Sequence, residues 1–347
     1  MTATWREEYI GGSPEAERRE FERLAGMVTA IQRRNSRAAG ASASSSGVDR
    51  AFHAKQTAAV VDAELRFLDV PPDLQVGFAR PQATYPAVVR FSNAAGVRRP
   101  DPRPDVRGVS LRIEVSPEEQ HDLLLASFPV FFAGDLRQLV ALTRFSSSGG
   151  AFRALALMGL LRVYGPRGFA RTMRNIRRAE RQPVGSLATQ TYWGQGAIRW
   201  GGTLAVRYLL RPVLDGPPDP GAPAPAPDYL SRELAGRLSR GDVRFELSIQ
   251  RFRDERSTPI EDASAEWPEE VSPAEPVAVL TIARRDPGAA RARTGGPAVE
   301  AMAFSVWNTT DEFRPLGSVN RARRMAYDAS AAQRRGARGG DTGVTAR

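Results

Sequence analysis

From Ala59 to Phe67 the side chains alternate, with Val61, Ala63, Leu65 and Phe67 set against Asp62, Glu64 and Arg66. Period two is the signature of a strand with one face in a core and one in water, and Val70-Pro71-Pro72 ends it. Comparable strands are predicted at Val88–Ser92, Val109–Val115, Pro129–Phe132, Leu187–Trp193, Thr203–Leu210, Arg244–Arg251 and Val277–Ala283. Short strands spaced by turns point to a closed or nearly closed antiparallel barrel of about eight strands.

Helical patterns surround these strands, so the fold class is α+β. Ser13-Pro14-Glu15 reads as a helix start, with a Ser cap, Pro in the first turn and acids near the positive end of the dipole. The helix is expected to reach about Arg34, burying Phe21, Leu24, Ala25, Val28 and Ile31. The Ala/Ser/Gly run 39–47 follows, so residues 1–47 read as an N-terminal helical arm and linker, packed on a neighbouring subunit of a homodimer. Further helices are predicted at Asp135–Phe145, Phe152–Tyr164, Phe169–Arg181 and Asp228–Arg240. Phe152–Tyr164 and Phe169–Arg181 are amphipathic and basic, a pattern that fits packing on the barrel, closure of its entrance, or peripheral contact with a membrane. Pro217 to Pro227 is a spacer, and Gly194-Gln195-Gly196 is a turn, since no phosphate-loop helix start follows it. Pro259, Glu261, Asp262 and Trp267 are expected to pin the loop between the last two strands.

Composition narrows the chemistry. The 347 residues, 41% of them apolar, suffice for a sizeable core. With no cysteine, disulfides, thiolate catalysis and Cys-ligated metals are excluded. Two histidines argue against a metal site built from imidazoles. The net charge of +10 comes from scattered arginines and no nucleic-acid motif accompanies it, so no specific nucleic-acid partner is expected. No segment approaches the roughly 20 apolar residues of a membrane-spanning helix. The polar start MTATWREEY lacks a signal-peptide apolar region, so a cytoplasmic location is expected.

Three stretches carry candidate chemistry. Arg50-Ala51-Phe52-His53-Ala54-Lys55 holds one of the two histidines and the only lysine. A positioned imidazole moves protons near neutral pH, although an isolated histidine reads as readily as a turn cap or core filler. In Tyr85 to Gly96 a strand places Arg90 and Ser92 on one face, Val89 and Phe91 on the other. Near the C-terminus a helix from Val319 to Arg334 sets Arg323, Tyr327 and Arg334 on one face. A cation one turn from a phenol favours the phenolate, a hard anionic ligand for ferric haem. From Arg335 the Gly/Arg/Thr tail is expected to be disordered.

The ordered motifs RxxHAK, VRFSNAAG, Asp105-Val106-Arg107-Gly108-Val109-Ser110-Leu111-Arg112 and Phe128-Pro129-Val130-Phe131-Phe132, followed by the R-x-x-x-Y of Arg323 to Tyr327, resemble the haem catalases and their smaller catalase-fold peroxidase relatives. The resemblance covers roughly Arg50 to Leu139 and the C-terminal helix, with residues 48–335 as the haem-binding domain. It implies a catalase-like barrel with haem b as cofactor and Tyr327 as the iron's axial ligand, Arg323 being the charge partner of Tyr327. It places His53 as the catalytic acid-base, fixed by Ser92. Arg50, Arg90 and Arg334 would meet the propionates, with Phe52, Phe131 and Leu139 lining the cofactor. Lys55 would be structural or electrostatic.

Departures from the large catalases shape the expected activity. Ala126 stands where they carry an asparagine that orients peroxide, with Ser127 a partial substitute, and Leu139 replaces an aromatic that stacks on haem. The resemblance therefore implies a peroxidase that reduces hydrogen peroxide or organic hydroperoxides with a small organic electron donor, and weak catalase activity at most. Alternatives are an isomerase of fatty-acid hydroperoxides, as in the allene oxide synthases of this fold, and a non-enzymatic haem carrier or sensor.

Overall fold

The computed structural model describes residues 4–39, 48–147, 152–215, 226–285 and 296–339. Its strands are β1 (Gln56–Phe67), β2 (Thr84–Asn93), β3 (Arg107–Glu114), β4 (Gln120–Ala126), β5 (Tyr192–Gly194), β6 (Ile198–Trp200), β7 (Leu204–Pro212), β8 (Val243–Arg251) and β9 (Glu275–Ile282). They pair in the order β5-β4-β3-β2-β1-β9-β8-β7-β6. Tyr192 and Trp193 of β5 also lie opposite Leu210 and Leu209 of β7, which closes eight strands into a ring and leaves β6 on its outside. The main apolar core fills this barrel, with Val89, Phe91, Leu111, Ile113, Phe245 and Leu280 inside.

The sequence reading of the strands needs four corrections. In β1 the register shifts between Val60 and Ala63, so Val60 is buried and Val61 is exposed, the reverse of simple alternation. An extra residue in one strand turns the following side chains to the other face. Pro129–Phe132 is a loop, since Pro129 lacks the N–H that a ladder requires; its one backbone link of this kind runs from Phe131 N to Ala263 O at 3.0 Å. The strand before it is β4, disguised by two buried polar residues, His121 and Asp122. Leu187–Trp193 supplies only the three residues of β5, and β6 forms from the Ile-Arg-Trp that follows the Gly194–Gly196 turn.

The helices are α1 (Pro14–Ala39), α2 (Leu136–Ser147), α3 (Phe152–Glu180), α4 (Tyr229–Leu238), α5 (Gly296–Ala301) and α6 (Ser318–Gly339). The two predicted basic helices are one, α3, broken where Gly165 takes φ +64° ahead of Pro166. A proline removes one helical hydrogen bond and collides with the preceding turn, which sets the kink there. Helix α6 runs past Arg335, where disorder was expected, to Gly339. The linker after residue 39 and most of the 217–227 spacer lie outside the described residues.

Helix α1 packs on α2 and α6 of its own chain. Arg321 of α6 holds it there, donating to Glu17 at 2.8 and 3.0 Å and to Glu7 at 2.6 Å. Glu17 is 1% exposed, and a carboxylate so buried is tolerated because it is paired. The loop predicted to be pinned is: Glu261 accepts from the Ser318 backbone N–H at 2.7 Å, at the start of α6. Asp262 pairs with Arg171 at 3.0 Å, and Trp267 Nε1 donates to Pro259 O at 3.3 Å. The segment that leads into α6 is tied to β6 and the residue before it: Arg199 N donates to Arg314 O and Leu316 N to Ala197 O.

Candidate active site

Strand β2 turns Val89 and Phe91 into the barrel core, and Arg90 and Ser92 therefore face the other way, both 1% exposed. The chain enters β1 through a tight segment in which His53 adopts φ +55°. A left-handed backbone costs a non-glycine residue roughly 1–2 kcal/mol, so it persists only where surrounding groups hold it. Here the N–H of His53 donates to Ala94 O at 3.1 Å and that of Ala54 to Ala95 O at 3.0 Å. The His53 carbonyl accepts from Arg90 Nη2 at 2.9 Å.

The imidazole is fixed as firmly. Its Nδ1 lies 3.0 Å from Ser92 Oγ, which in turn lies 3.5 Å from the Gly108 carbonyl. If the serine proton goes to that carbonyl, the serine oxygen accepts from Nδ1–H and Nε2 keeps its lone pair. Gly108 is required at its position: a Cβ there would stand 2.5 Å from His53 Cε1 and 2.6 Å from Nδ1. Burial, and then the charges of Arg90, Arg323 and Arg50, push the His53 pKa down to about 3. The ring is neutral at physiological pH and able to accept a proton.

Helix α6 presents the second group. Arg323 Nε and Nη2 both donate to Tyr327 Oη at 3.2 Å. The guanidinium is aimed from behind by Asn320, whose Oδ1 accepts from Nη1 at 3.1 Å and whose Nδ2 donates to Ala197 and Leu316 carbonyls. Trp307 Nε1 adds a bond to Asn320 O at 2.7 Å. Thus β6 and the 303–308 turn together orient the Arg323–Tyr327 pair.

A third set of groups gathers around α5. Arg50 Nη2 and Arg334 donate to the same two carbonyls, Glu300 and Met302. The Glu300 carboxylate pairs with Arg90 at 3.0 Å and with Arg50 at 3.7 Å. The turn after α5 is tied to the barrel by a buried network. Arg112 and Asp122 form two bonds of 2.8 Å, Arg112 reaches Ala303 O at 2.7 Å, and Asp122 accepts from Ser305 N and Asn308 Nδ2. Arg112 also lies 4.9 Å from the ring centre of Phe304.

His53 and Tyr327 line one cavity, together with Arg50, Phe52, Arg90, Phe131, Leu139, Arg323 and Arg334. Every site residue expected from the sequence is thus at this cavity except Ser92, which stands behind His53. Phe52 lies at the solvent edge, 37% exposed. Lys55 is remote from the lining and bonds Asp101 at 2.5 Å and Pro227 O at 2.9 Å, a structural tie. Sequence reading missed Gly108, Phe304 and Gln195 as lining residues, and Leu24 and Val28, which bring α1 into the wall. It also missed Glu300, which lies 210 residues from its partner Arg90.

The lining combines apolar walls with four arginines, and no carboxylate among its described residues. That suits an apolar ligand carrying carboxylates of its own. Among the described residues no cluster of three or more His, Cys, Asp or Glu is placed to hold a metal ion.

No protein-family model matches the chain. It is 30% identical over 269 residues to a catalase-related peroxidase of Mycolicibacterium paratuberculosis, covering 73% of this chain and 79% of that protein. Among solved structures it is similar to a fungal catalase, with a TM-score of 0.65 at 17% identity, covering 82% of this chain and 59% of the catalase. It is also similar to a bacterial catalase, with a TM-score of 0.61 at 18% identity, covering 83% and 57%. The chain thus spans under three fifths of the length of these two catalases, and the likeness to them is one of fold.

Proposed function

The chain belongs to the catalase superfamily, and on that premise we propose that it is a haem-dependent peroxidase, reducing hydrogen peroxide or an organic hydroperoxide with a small organic electron donor. The observation that carries the proposal is that a neutral imidazole and an arginine-bonded phenol line one cavity whose remaining charges are guanidinium groups. Bound there, haem supplies a redox-active ferric iron that peroxide oxidises. Tyr327 would hold its iron, Arg323 would keep the phenol oxygen in place, and Arg50, Arg90 and Arg334 would receive its carboxylates.

The protein's part in the reaction is proton movement. His53 Nε2 takes the proton of the peroxide and returns it to the departing oxygen, which leaves as water or an alcohol. Ser92 keeps the ring in the tautomer that can do this, and the left-handed backbone of His53 fixes the direction in which it points. The position where the large catalases carry a peroxide-orienting amide offers none: Ala126 has no polar side chain, and the nearby Gln195 Nε2 is engaged by the Phe128 and Trp193 carbonyls. Without an amide aimed at the peroxide, capture of a second peroxide molecule as reductant is disfavoured relative to an organic donor.

The test is an absorption spectrum of the haem-loaded protein and of Tyr327→Phe, with parallel assays of oxygen release and of phenol or dye oxidation. The reading expects a high-spin ferric spectrum of tyrosinate type that is lost in the variant, and donor oxidation well ahead of oxygen release. Rapid oxygen release with negligible donor oxidation would refute the peroxidase assignment; an unchanged spectrum in Tyr327→Phe would refute the ligand.

A further inference from the structure

The first half of α3, Phe152 to Tyr164, is apolar round most of its circumference: Leu155, Ala156, Leu157, Met158, Leu160, Leu161 and Val163 spread over its faces, with Arg153 and Arg162 its two charged residues. A helix of that kind is normally covered all round. Here the protein covers only the side with Leu160 and Tyr164, at 1% and 7% exposure, while Leu155 and Met158 on the opposite side are 62% and 59% exposed. Leu161 and Val163 flank them, also exposed. A contiguous apolar surface of this sort marks a contact with something other than water.

Charge identifies the contact. Between Asp135 and Glu180 the chain carries nine arginines and no carboxylate. Beyond the Gly165–Pro166 kink, Arg167, Arg174 and Arg177 form an exposed stripe at helical spacing. The inner side of that half is anchored: Ala179 packs with Phe128 and Val130, and Arg178 sits 5.8 Å from the Phe128 ring. The outward surface of α3 is therefore mainly apolar along its first half, where Arg162 is the exposed cation, and cationic along its second. A second copy of this chain is a poor occupant, because a two-fold contact through the same surface sets an excess of arginines against arginines, with Glu180 at the end of α3 and Asp262 beside Arg171 as the acids at hand. An anionic lipid surface supplies both the apolar layer and the countercharge.

We propose that α3 is a peripheral membrane-docking element, with Leu155 and Met158 entering the acyl boundary of an anionic leaflet and the arginines of its second half lying against phosphate headgroups. Among the described residues no helix is long and apolar enough to cross a membrane, so the contact proposed for α3 is a surface one. Helix α2 packs against α3 and contributes Leu139, Leu142 and Thr143 to the cavity wall, which puts one wall of the site next to the docked helix. The proposal rests on exposure and charge alone and stands whether or not the cavity holds haem.

The test is co-sedimentation of the full-length protein with vesicles of phosphatidylcholine, alone and mixed with phosphatidylglycerol, beside the double variant Leu155→Ser, Met158→Ser. Both positions are solvent-facing, so the variant is expected to keep the parent melting temperature. Binding to the anionic vesicles only, weakened by salt and reduced about tenfold or more in the variant, is the expected result. Equal binding of parent and variant would reduce the effect to the general positive charge and overturn the proposal. So would absence of binding to anionic vesicles, or sedimentation velocity showing a dimer that the double variant dissociates.

Discussion

Arg90 Nη2 is 2.9 Å from the carbonyl oxygen of His53 and 3.0 Å from the carboxylate of Glu300. One guanidinium thus holds the left-handed backbone of the proposed proton carrier and neutralises a nearly buried acid. Lysine keeps the charge but has no planar fork to span both partners. Arg90→Lys is expected to lower stability by roughly 1–3 kcal/mol, the cost of one buried group left unsatisfied, and to slow reaction with peroxide at least tenfold. Urea denaturation and stopped-flow absorbance check the two effects, and a variant with parental rates would remove Arg90 from the positioning of His53.

Gly108→Ala tests the imidazole without touching it. The new Cβ would lie within 2.6 Å of two ring atoms, so the ring must leave its bond to Ser92. Peroxide reactivity is expected to fall toward that of His53→Ala, about a 10²–10⁴-fold loss for a misplaced general acid-base. The spectrum set by Tyr327 should be retained. Gly26→Ala is the control: nothing lies within 4 Å of its added Cβ, and within α1 the change should stabilise by roughly 0.5–1 kcal/mol.

Asp122→Ala removes the acceptor on which Arg112, Ser305 and Asn308 converge. Breaking a buried pair in this way costs roughly 3–5 kcal/mol. Because the 303–308 turn also holds Asn320, and through it Arg323, the variant should lose cofactor affinity as well as stability. Thermal unfolding and haem titration of the surviving folded protein measure the two; a full-affinity variant would show that the turn is held by other contacts.

Stability of the cofactor-free protein should fall on acidification earlier than carboxylates explain. Burial holds His53 and His121 at about 3 in the folded state, against 6.5 in the open chain. Below pH 6.5 the unfolded chain binds protons that the folded one refuses, so stability is full above that pH and is lost as pH falls toward 3. Between pH 7.5 and 5.5 the two rings together should remove roughly 2.7 kcal/mol. Asp105 and Glu261, which burial pushes upward, act in the opposite sense and at lower pH. Denaturation midpoints at the two pH values measure the loss; half of it would mean that one ring is solvated, and a flat profile that both are.

The barrel and the site were legible to different degrees for different reasons. The alternation in β2 assigned Arg90 and Ser92 to one face correctly, because both faces of that strand carry distinct chemistry. It failed at Val61, where a bulge inverts the pattern, and it left β4 unrecognised, a strand whose His121 and Asp122 are buried polar residues. The i,i+4 spacing of Arg323 and Tyr327 was enough to bring them together, since a helix fixes that geometry by itself. Glu300 and Gly108 could not be found that way. Their roles come from what the folded chain places beside them, an arginine far away in sequence and an imidazole ring that leaves no room for a methyl group.

Strand β5 touches its neighbours through few residues, two pairs with β4 and two with β7, and Trp193 belongs to both sets. Every other junction of the ring is longer. Amide exchange should therefore be fastest here, in a patch that opens on its own well below the free energy of global unfolding. Ala126, paired with Trp193, and Gln195, the residue after Gly194, are both part of the cavity wall, so this patch breathes on the side from which His53 acts.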